Sequence, residues 1–342
     1  MDVTPFDYCL PPDRIAQYPA ERREASRLLV LDRASGRWED RVFADLPGLL
    51  QGGDCLVLND SRVIPARFHG QLGSGKAVEC LFLREVRPHR WEILAKPAKH
   101  ARVGSEILLG QGRARIVQAG ALGRRVIDVE GVPAVRDFLE RHGLPPLPPY
   151  IAHYAKPGAE DWERYQTVYA RHEGSVAAPT AGLHFTPALL EELRVRGVEV
   201  HALTLHVGPG SFRPIRADRV EAHVMEEEEA MVPEAVGQAV NRARDEGRRV
   251  LAVGTTVVRA LESAARQDGR VRAFSGPTSL FIVPGYRFKI VDGLITNFHL
   301  PRSTHLLLVS AFAGRERILA AYRHAVDVGY RFYSYGDAVL LL

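Results

Sequence analysis

Between Val63 and Glu130 the chain contains five short runs, AVECLFLREV (77–86), WEILAKPA (91–98), SEILLG (105–110), ARIVQAG (114–120) and RRVIDVEG (124–131), separated by Gly or Pro turns. Each alternates apolar with polar residues, and no helix-period run interrupts them. Several short strands at this spacing predict a small antiparallel β-barrel or sandwich. GQLGSGKA (70–77) comes close to the phosphate-binding pattern G-x-x-x-x-G-K-[ST]. It fails because Ala77 has no hydroxyl for magnesium and because a strand follows where that pattern requires a helix. Gly73, Ser74 and Gly75 are therefore expected in a hairpin turn.

On either side of this module the texture is different. SRLLVLD (26–32) and CLVLND (55–60) read as buried strands, the second ending in turn-forming polar residues. Behind the module, Val132–His142 reads as a helix closed by Gly143, LPPLPPYI (144–151) as a stiff extended connector, and Gly158–His172 as another helix. The second half alternates strand-like runs (VEVHALTLHV, RVLAVGTT, TSLFIVPGY, IVDGLITNFHLP) with helices opening at Pro233, Thr255 and Ser303. The expected architecture is a layered α/β body, residues 1–62 and 151–342, interrupted by a basic β-barrel at residues 63–150.

Composition fits this plan. With 46% apolar and 25% charged residues over 342 positions, the chain has the material of a globular protein of two domains. Its start lacks a basic, apolar leader and no run reaches membrane-spanning length, so a cytoplasmic protein with no membrane partner is expected. Cys9, Cys55 and Cys80 are isolated, which argues against a disulfide framework or a zinc site and suggests small core residues. Charge is uneven: residues 62–130 carry 13 Lys or Arg against 6 Asp or Glu, within a formal total of +4. Such a segment reads equally as a nucleic-acid footprint or as a solvated β surface.

Chemistry is expected at loops following strands, where ligands gather in open α/β sheets. NDSR follows Leu58, GPGSF follows Val207, GTT follows Val253 and NFHLPRS follows Thr296. A fifth loop lies in SVAAPTAGLHFTPALLEEL (175–193), where Thr186 is an N-cap, Pro187 suits the first helical turn and Gly197 can close the helix. Three of thirteen histidines, His184, His206 and His299, fall at these loops and are candidate proton-transfer groups. The acidic run Glu226–Glu229 reads mostly as a solvated edge.

The strings LVLNDSRVIPARFHG, GSVAAPTAGLHFTPALLEEL, LTLHVGPGSFRP, AVGTTVVRALES, VDGLITNFHLPRST and YRFYSYGDAVLL, in this order, resemble the S-adenosylmethionine:tRNA ribosyltransferase-isomerase family of queuosine biosynthesis. Where that family often shows H-x-M-H-x-E, this chain has His223, Met225, Glu226 and Glu228, and His305 stands where a leucine is common. The resemblance implies an α/β body with an inserted barrel. It also implies transfer of the ribosyl part of S-adenosylmethionine to 7-aminomethyl-7-deazaguanine in a tRNA anticodon. Epoxyqueuosine would form, with adenine and methionine released. S-adenosylmethionine would be consumed as substrate, with no metal and no other cofactor.

On that implication His184 is the expected base, with His206 or His299 as proton donor. Asn59, Asp60, Gly208, Gly210, Thr255, Thr256 and Asn297 are expected to hold the methionyl and adenosyl parts, and Arg259 to meet the carboxylate. Arg62, Arg67, Lys96 and Lys99 are candidates for tRNA phosphates, and Phe185 or Phe298 for stacking on an extruded base. Two other readings share these features: an S-adenosylmethionine-dependent RNA methyltransferase, and a non-catalytic RNA-binding protein.

Overall fold

In the computed structural model, which describes residues 1–212, 215 and 217–342, the chain divides into two units. One comprises residues 1–61, 166–172 and 179–342; the other comprises 62–165 and 173–178.

The larger unit is built on a nine-stranded mixed sheet, ordered Phe274–Thr278, Glu228–Val232, Glu199–Leu205, Cys55–Asn59, Val250–Val253, Gly293–Asn297, Ala338–Leu341, Arg27–Leu31 and Trp38–Val42. The four strands from Glu199–Leu205 to Gly293–Asn297 are mutually parallel. All residues of Cys55–Asn59, Val250–Val253 and Gly293–Asn297 are buried, as strands with both faces covered must be. Helices Pro187–Val195, Glu234–Asp245 and Thr255–Ala264 pack on them. Leu56, Leu58, Phe185, Leu189, Leu193, Val253 and Ile295 share one core. Thr186 caps its helix, its hydroxyl accepting the Leu189 N–H at 3.2 Å, and Gly197 takes a left-handed φ of +85° just past the end.

Because the four central strands are parallel, their carboxyl ends share one edge of the sheet. Ala338–Leu341 runs antiparallel to Gly293–Asn297, and Arg27–Leu31 runs parallel to Ala338–Leu341. The starts of these two strands, with Ser26 and Asp337, therefore meet the same edge, called here the carboxyl edge.

The smaller unit is a closed six-stranded antiparallel barrel formed by Arg67–Leu72, Ala77–Arg87, Arg90–Lys96, Glu106–Leu109, Gly112–Ala119 and Arg124–Glu130. Phe82, Trp91, Ile93, Ile107, Ile116 and Ile127 fill it. Residues 73–76 form the hairpin turn expected in place of a phosphate loop. Among the described residues no helix is long and apolar enough to cross a membrane.

Four expectations need correction. The chain first crosses to the larger unit at Tyr165–Gln166, not near Ile151, and residues 173–178 belong again to the smaller one. Residues 144–154 are stitched to the barrel: Leu144 N–H donates to Arg67 O (2.8 Å), and the Arg67 guanidinium donates to Leu147 O (2.6 Å) and Tyr154 O (3.1 Å). The helix read over 158–172 is limited to Ala159–Arg164. TSLFIVPGY forms no strand beyond Thr278, the pairing strand being the preceding Phe274–Thr278. Cys9 is exposed, and only Cys55 and Cys80 are core residues.

Candidate active site

Thr180–His184 is a single 3₁₀ turn that delivers the His184 ring to the carboxyl edge, where it is 5% exposed and stacked on Phe43 at 5.0 Å. Ser26 Oγ lies 2.7 Å from His184 Nδ1 and 3.0 Å from Arg23 O, while Asn297 Nδ2 lies 3.3 Å from His184 Nε2 and 3.2 Å from Tyr333 O. The network assigns the tautomer. With the Ser26 hydroxyl donating to Arg23 O, Nδ1 carries the proton and donates to Ser26, and Nε2 is left as the lone-pair nitrogen facing the Asn297 amide. Burial, reinforced by the positive fields of Arg331 and Arg23, pushes the imidazole down to about 3, so it is neutral near pH 7. The Asn297 carboxamide is buried, and its Oδ1 has no hydrogen-bond partner among the described residues.

His299 also sits at this edge, 3.0 Å from Thr296 Oγ1 through Nε2 and stacked on His305 at 5.1 Å. Burial and the neighbouring His305 hold it well below its ordinary value. His206 follows the Glu199–Leu205 strand, half-buried, its backbone N–H donating to Glu229 O at 2.9 Å.

Asn59 belongs to the scaffold. Its Nδ2 donates to Leu205 O (2.9 Å) and Thr256 Oγ1 (3.3 Å), and its Oδ1 accepts from the N–H groups of Leu205 (3.0 Å) and Ser61 (3.1 Å). One carboxamide thereby joins three elements of the edge. Asp60 accepts the Thr204 hydroxyl at 2.7 Å and lies 3.7 Å from His172 Nε2. Thr255 and Thr256 open the buried Thr255–Ala264 helix at the same edge.

Arg259 is not free for a ligand carboxylate. Its guanidinium is 3% exposed, pairs with Glu228 and donates to Leu280 O (3.0 Å) and Thr278 O (3.3 Å). Glu228 in turn accepts the Gly208 N–H at 2.8 Å, so a buried ion pair anchors the GPG loop to the helix. Within the run that reads mostly as a solvated edge, Glu228 is the buried exception. Its strand is buried at Glu228, Ala230 and Val232, a period-two signal already present in the sequence. Gly210 lies against Glu226, the residue standing in place of the second histidine: a Cβ there would fall 2.8 Å from its carboxylate carbon, so a larger residue would have to displace that side chain. Glu262 accepts the N–H groups of Lys289 (3.0 Å), Ile290 (3.0 Å) and Val291 (3.2 Å) and the Tyr286 hydroxyl (3.1 Å), tying residues 286–291 to the helix.

The expected RNA contacts divide. Phe185 and Phe298 are fully buried, the first edge-on to Phe43 and the second among Tyr322, Tyr330 and Phe332, so neither presents a face to a base. Arg67 is likewise buried, with its guanidinium on barrel carbonyls. Arg62, 3.9 Å from Glu173, and Lys96 and Lys99 are exposed.

A family model described as queuosine biosynthesis protein matches residues 3–341. The chain belongs to that family. Among its family relatives, the S-adenosylmethionine:tRNA ribosyltransferase-isomerase of Moorella thermoacetica is 53% identical over 346 residues, covering all of both chains. That of Geobacter metallireducens is 51% identical, again over the whole of both. The crystal structure of the S-adenosylmethionine tRNA ribosyltransferase of Thermotoga maritima is 37% identical, covers 99% of this chain and 100% of its own, and superposes with a TM-score of 0.57. In this queuosine-family chain each of the strings that carried the resemblance includes a residue at the carboxyl edge: Asn59, His184, Leu205, Thr255, Asn297 and Asp337.

Proposed function

We propose that this protein is an S-adenosylmethionine:tRNA ribosyltransferase-isomerase that acts on 7-aminomethyl-7-deazaguanine in a tRNA anticodon and yields epoxyqueuosine, adenine and methionine. Identity of about half the residues over the full length of relatives bearing that name supports the reaction class. The observation that carries the reading to a site is the convergence of His184, Asn297, Thr256, Gly208 and His299 on one sheet edge.

In this mechanism His184 Nε2 removes the proton on the ribose carbon beside the sulfonium, whose positive charge acidifies that carbon. Burial keeps the ring unprotonated, and the Ser26 bond keeps the proton on Nδ1, so the lone pair stays on the nitrogen that Asn297 covers until substrate displaces the amide. Adenine then leaves, the aminomethyl nitrogen attacks the anomeric carbon, and rearrangement expels methionine as the epoxide closes. Neutral, desolvated His299 has no imidazolium proton to give near pH 7. The donor role falls to His206.

One incubation tests the reading. With precursor-modified tRNA and S-adenosylmethionine, free adenine and methionine are expected in equal amounts. S-adenosylhomocysteine would instead mark a methyltransferase, and tRNA binding without turnover a binding module.

A further inference from the structure

Most of the positive charge between Arg62 and Glu130 is answered by acids. Arg84 and Arg124 share Glu92, Arg90 pairs with Asp128, Arg113 with Glu130, Arg115 with Glu106, Arg67 with Glu79 and Arg62 with Glu173. Arg125 is consumed differently. Its guanidinium donates to the carbonyls of Ala98 (2.8 Å), Ala101 (2.5 Å), Gly120 (3.3 Å) and Arg124 (2.7 Å), which fastens the loop after Lys96 to the barrel wall.

Among the described residues of this segment, Lys76, Arg87, Lys96, Lys99 and Arg102 make no ion pair. Arg87 stands near the Arg90–Asp128 pair. The other four gather at one end of the barrel, because Glu79 is in register with Lys96 in antiparallel strands. Three residues before Glu79 the chain has reached Lys76, and three after Lys96 it has reached Lys99, so both leave by the same end. The Gly73 N–H bonded to Glu106 O at 2.9 Å brings the hairpin turn beside the segment that follows Arg102. His100 reports the resulting field: its ring is held below the ordinary value first by desolvation, then by Lys76, Lys99 and Arg102.

We propose that this barrel end, comprising Lys76, Lys96, Lys99 and Arg102, docks the sugar-phosphate backbone of RNA. The proposal rests on the reading that tRNA is the acceptor, and it names the surface that meets it. Exposed cations with no acid to displace lose little on meeting a polyanion, and binding there releases counterions condensed on the RNA. The paired arginines elsewhere on the barrel must first break an ion pair.

The test is a salt series of binding by the full-length protein to an unmodified tRNA transcript. The patch triple variant Lys76→Gln, Lys99→Gln, Arg102→Gln is compared with Arg84→Gln, Arg113→Gln, Arg115→Gln, which removes the same charge from exposed but paired positions. The patch variant is expected to bind at least about tenfold more weakly at low salt, with a log–log slope shallower by about two units, since each lost phosphate contact removes about 0.7–0.9. The paired-site variant should keep its slope within about half a unit of wild type. A wild-type slope in the patch variant, or equal losses in both, overturns the docking surface; thermal midpoints verify that both variants are folded. An acidic protein that binds by the patch while tRNA binding is unaffected also overturns it. Adenine release is read separately with modified tRNA. If wild type shows the patch-dependent slope but releases no adenine, the catalytic reading fails and the docking surface stands.

Discussion

The two edges of the nine-stranded sheet handle polarity in opposite ways. At the amino ends of the parallel strands, Arg249 forks onto Asp54 at 2.8 and 2.5 Å, and Arg248 reaches Glu246 at 2.6 Å and Glu199 at 3.1 Å. All are pairs of full charges that staple the edge: the Arg248 pairs are partly solvated, while the Asp54 carboxylate is buried under a guanidinium that stays partly exposed. The carboxyl edge instead buries, beside the Asp60 and Asp337 carboxylates, a set of neutral groups, His184, Asn59, Thr256, Asn297 and His299, aimed by hydrogen bonds. Among the described residues, the ion pair there with both partners buried, Glu228 with Arg259, positions a loop. Charge pairs hold an edge together; oriented neutral groups prepare it for chemistry.

The sharpest way to break this contrast is His184→Ala. Adenine release in single turnover should fall about 10²–10⁴-fold, the usual contribution of a positioned base. Wild-type turnover would remove His184 from the mechanism. Next, Glu228→Gln strands a buried guanidinium and should destabilise the protein by about 3–5 kcal/mol in urea unfolding. Adding Arg259→Met should recover much of that stability, while the loop-dependent KM for S-adenosylmethionine stays raised; recovery of both would make the pair purely structural.

Acid should act through the same neutral edge. Burial holds His184 at about 3 and His305 at about 4, with His299 also well below its ordinary value. The unfolded chain binds protons at about 6.5, the folded edge only much lower, so stability is complete above 6.5 and declines as pH falls toward the folded values. Between pH 6.5 and 5 each of these histidines should remove about 1–2 kcal/mol, and His305→Leu should flatten the profile measured by urea midpoints. The smallest effect belongs to the amino edge: Glu246→Gln removes the exposed partner of Arg248, at about 0.2–1 kcal/mol, and should leave turnover unchanged.

Much of the architecture was legible because it is written in periodicity. The barrel runs alternate, the central strands are mostly apolar, and the hairpin, the Thr186 cap and the Gly197 stop follow from local sterics. The return crossing was not, since Arg67 binding the carbonyls of Leu147 and Tyr154 is a contact across 80 and 87 residues. At the site, sequence could locate strand-end loops but not allocate hydrogen bonds. Nothing near Ser26 announces a partner 158 residues away at His184, and Arg259 looks like a ligand clamp until Glu228 is seen opposite it. Phe185 and Phe298 are illegible for the same reason: a loop aromatic is exposed only if no core lies beneath it, and both are fully buried.

Glu262 implies an asymmetry of tolerance. Because its carboxylate grips main-chain N–H groups of Lys289, Ile290 and Val291, the side chains of those residues take no part in the grip. Exchanging Lys289, or swapping the buried Ile290 and Val291 for apolar residues of similar volume, should preserve the loop's path, whereas a single amide at position 262, which puts a donor where an acceptor is needed, should release it.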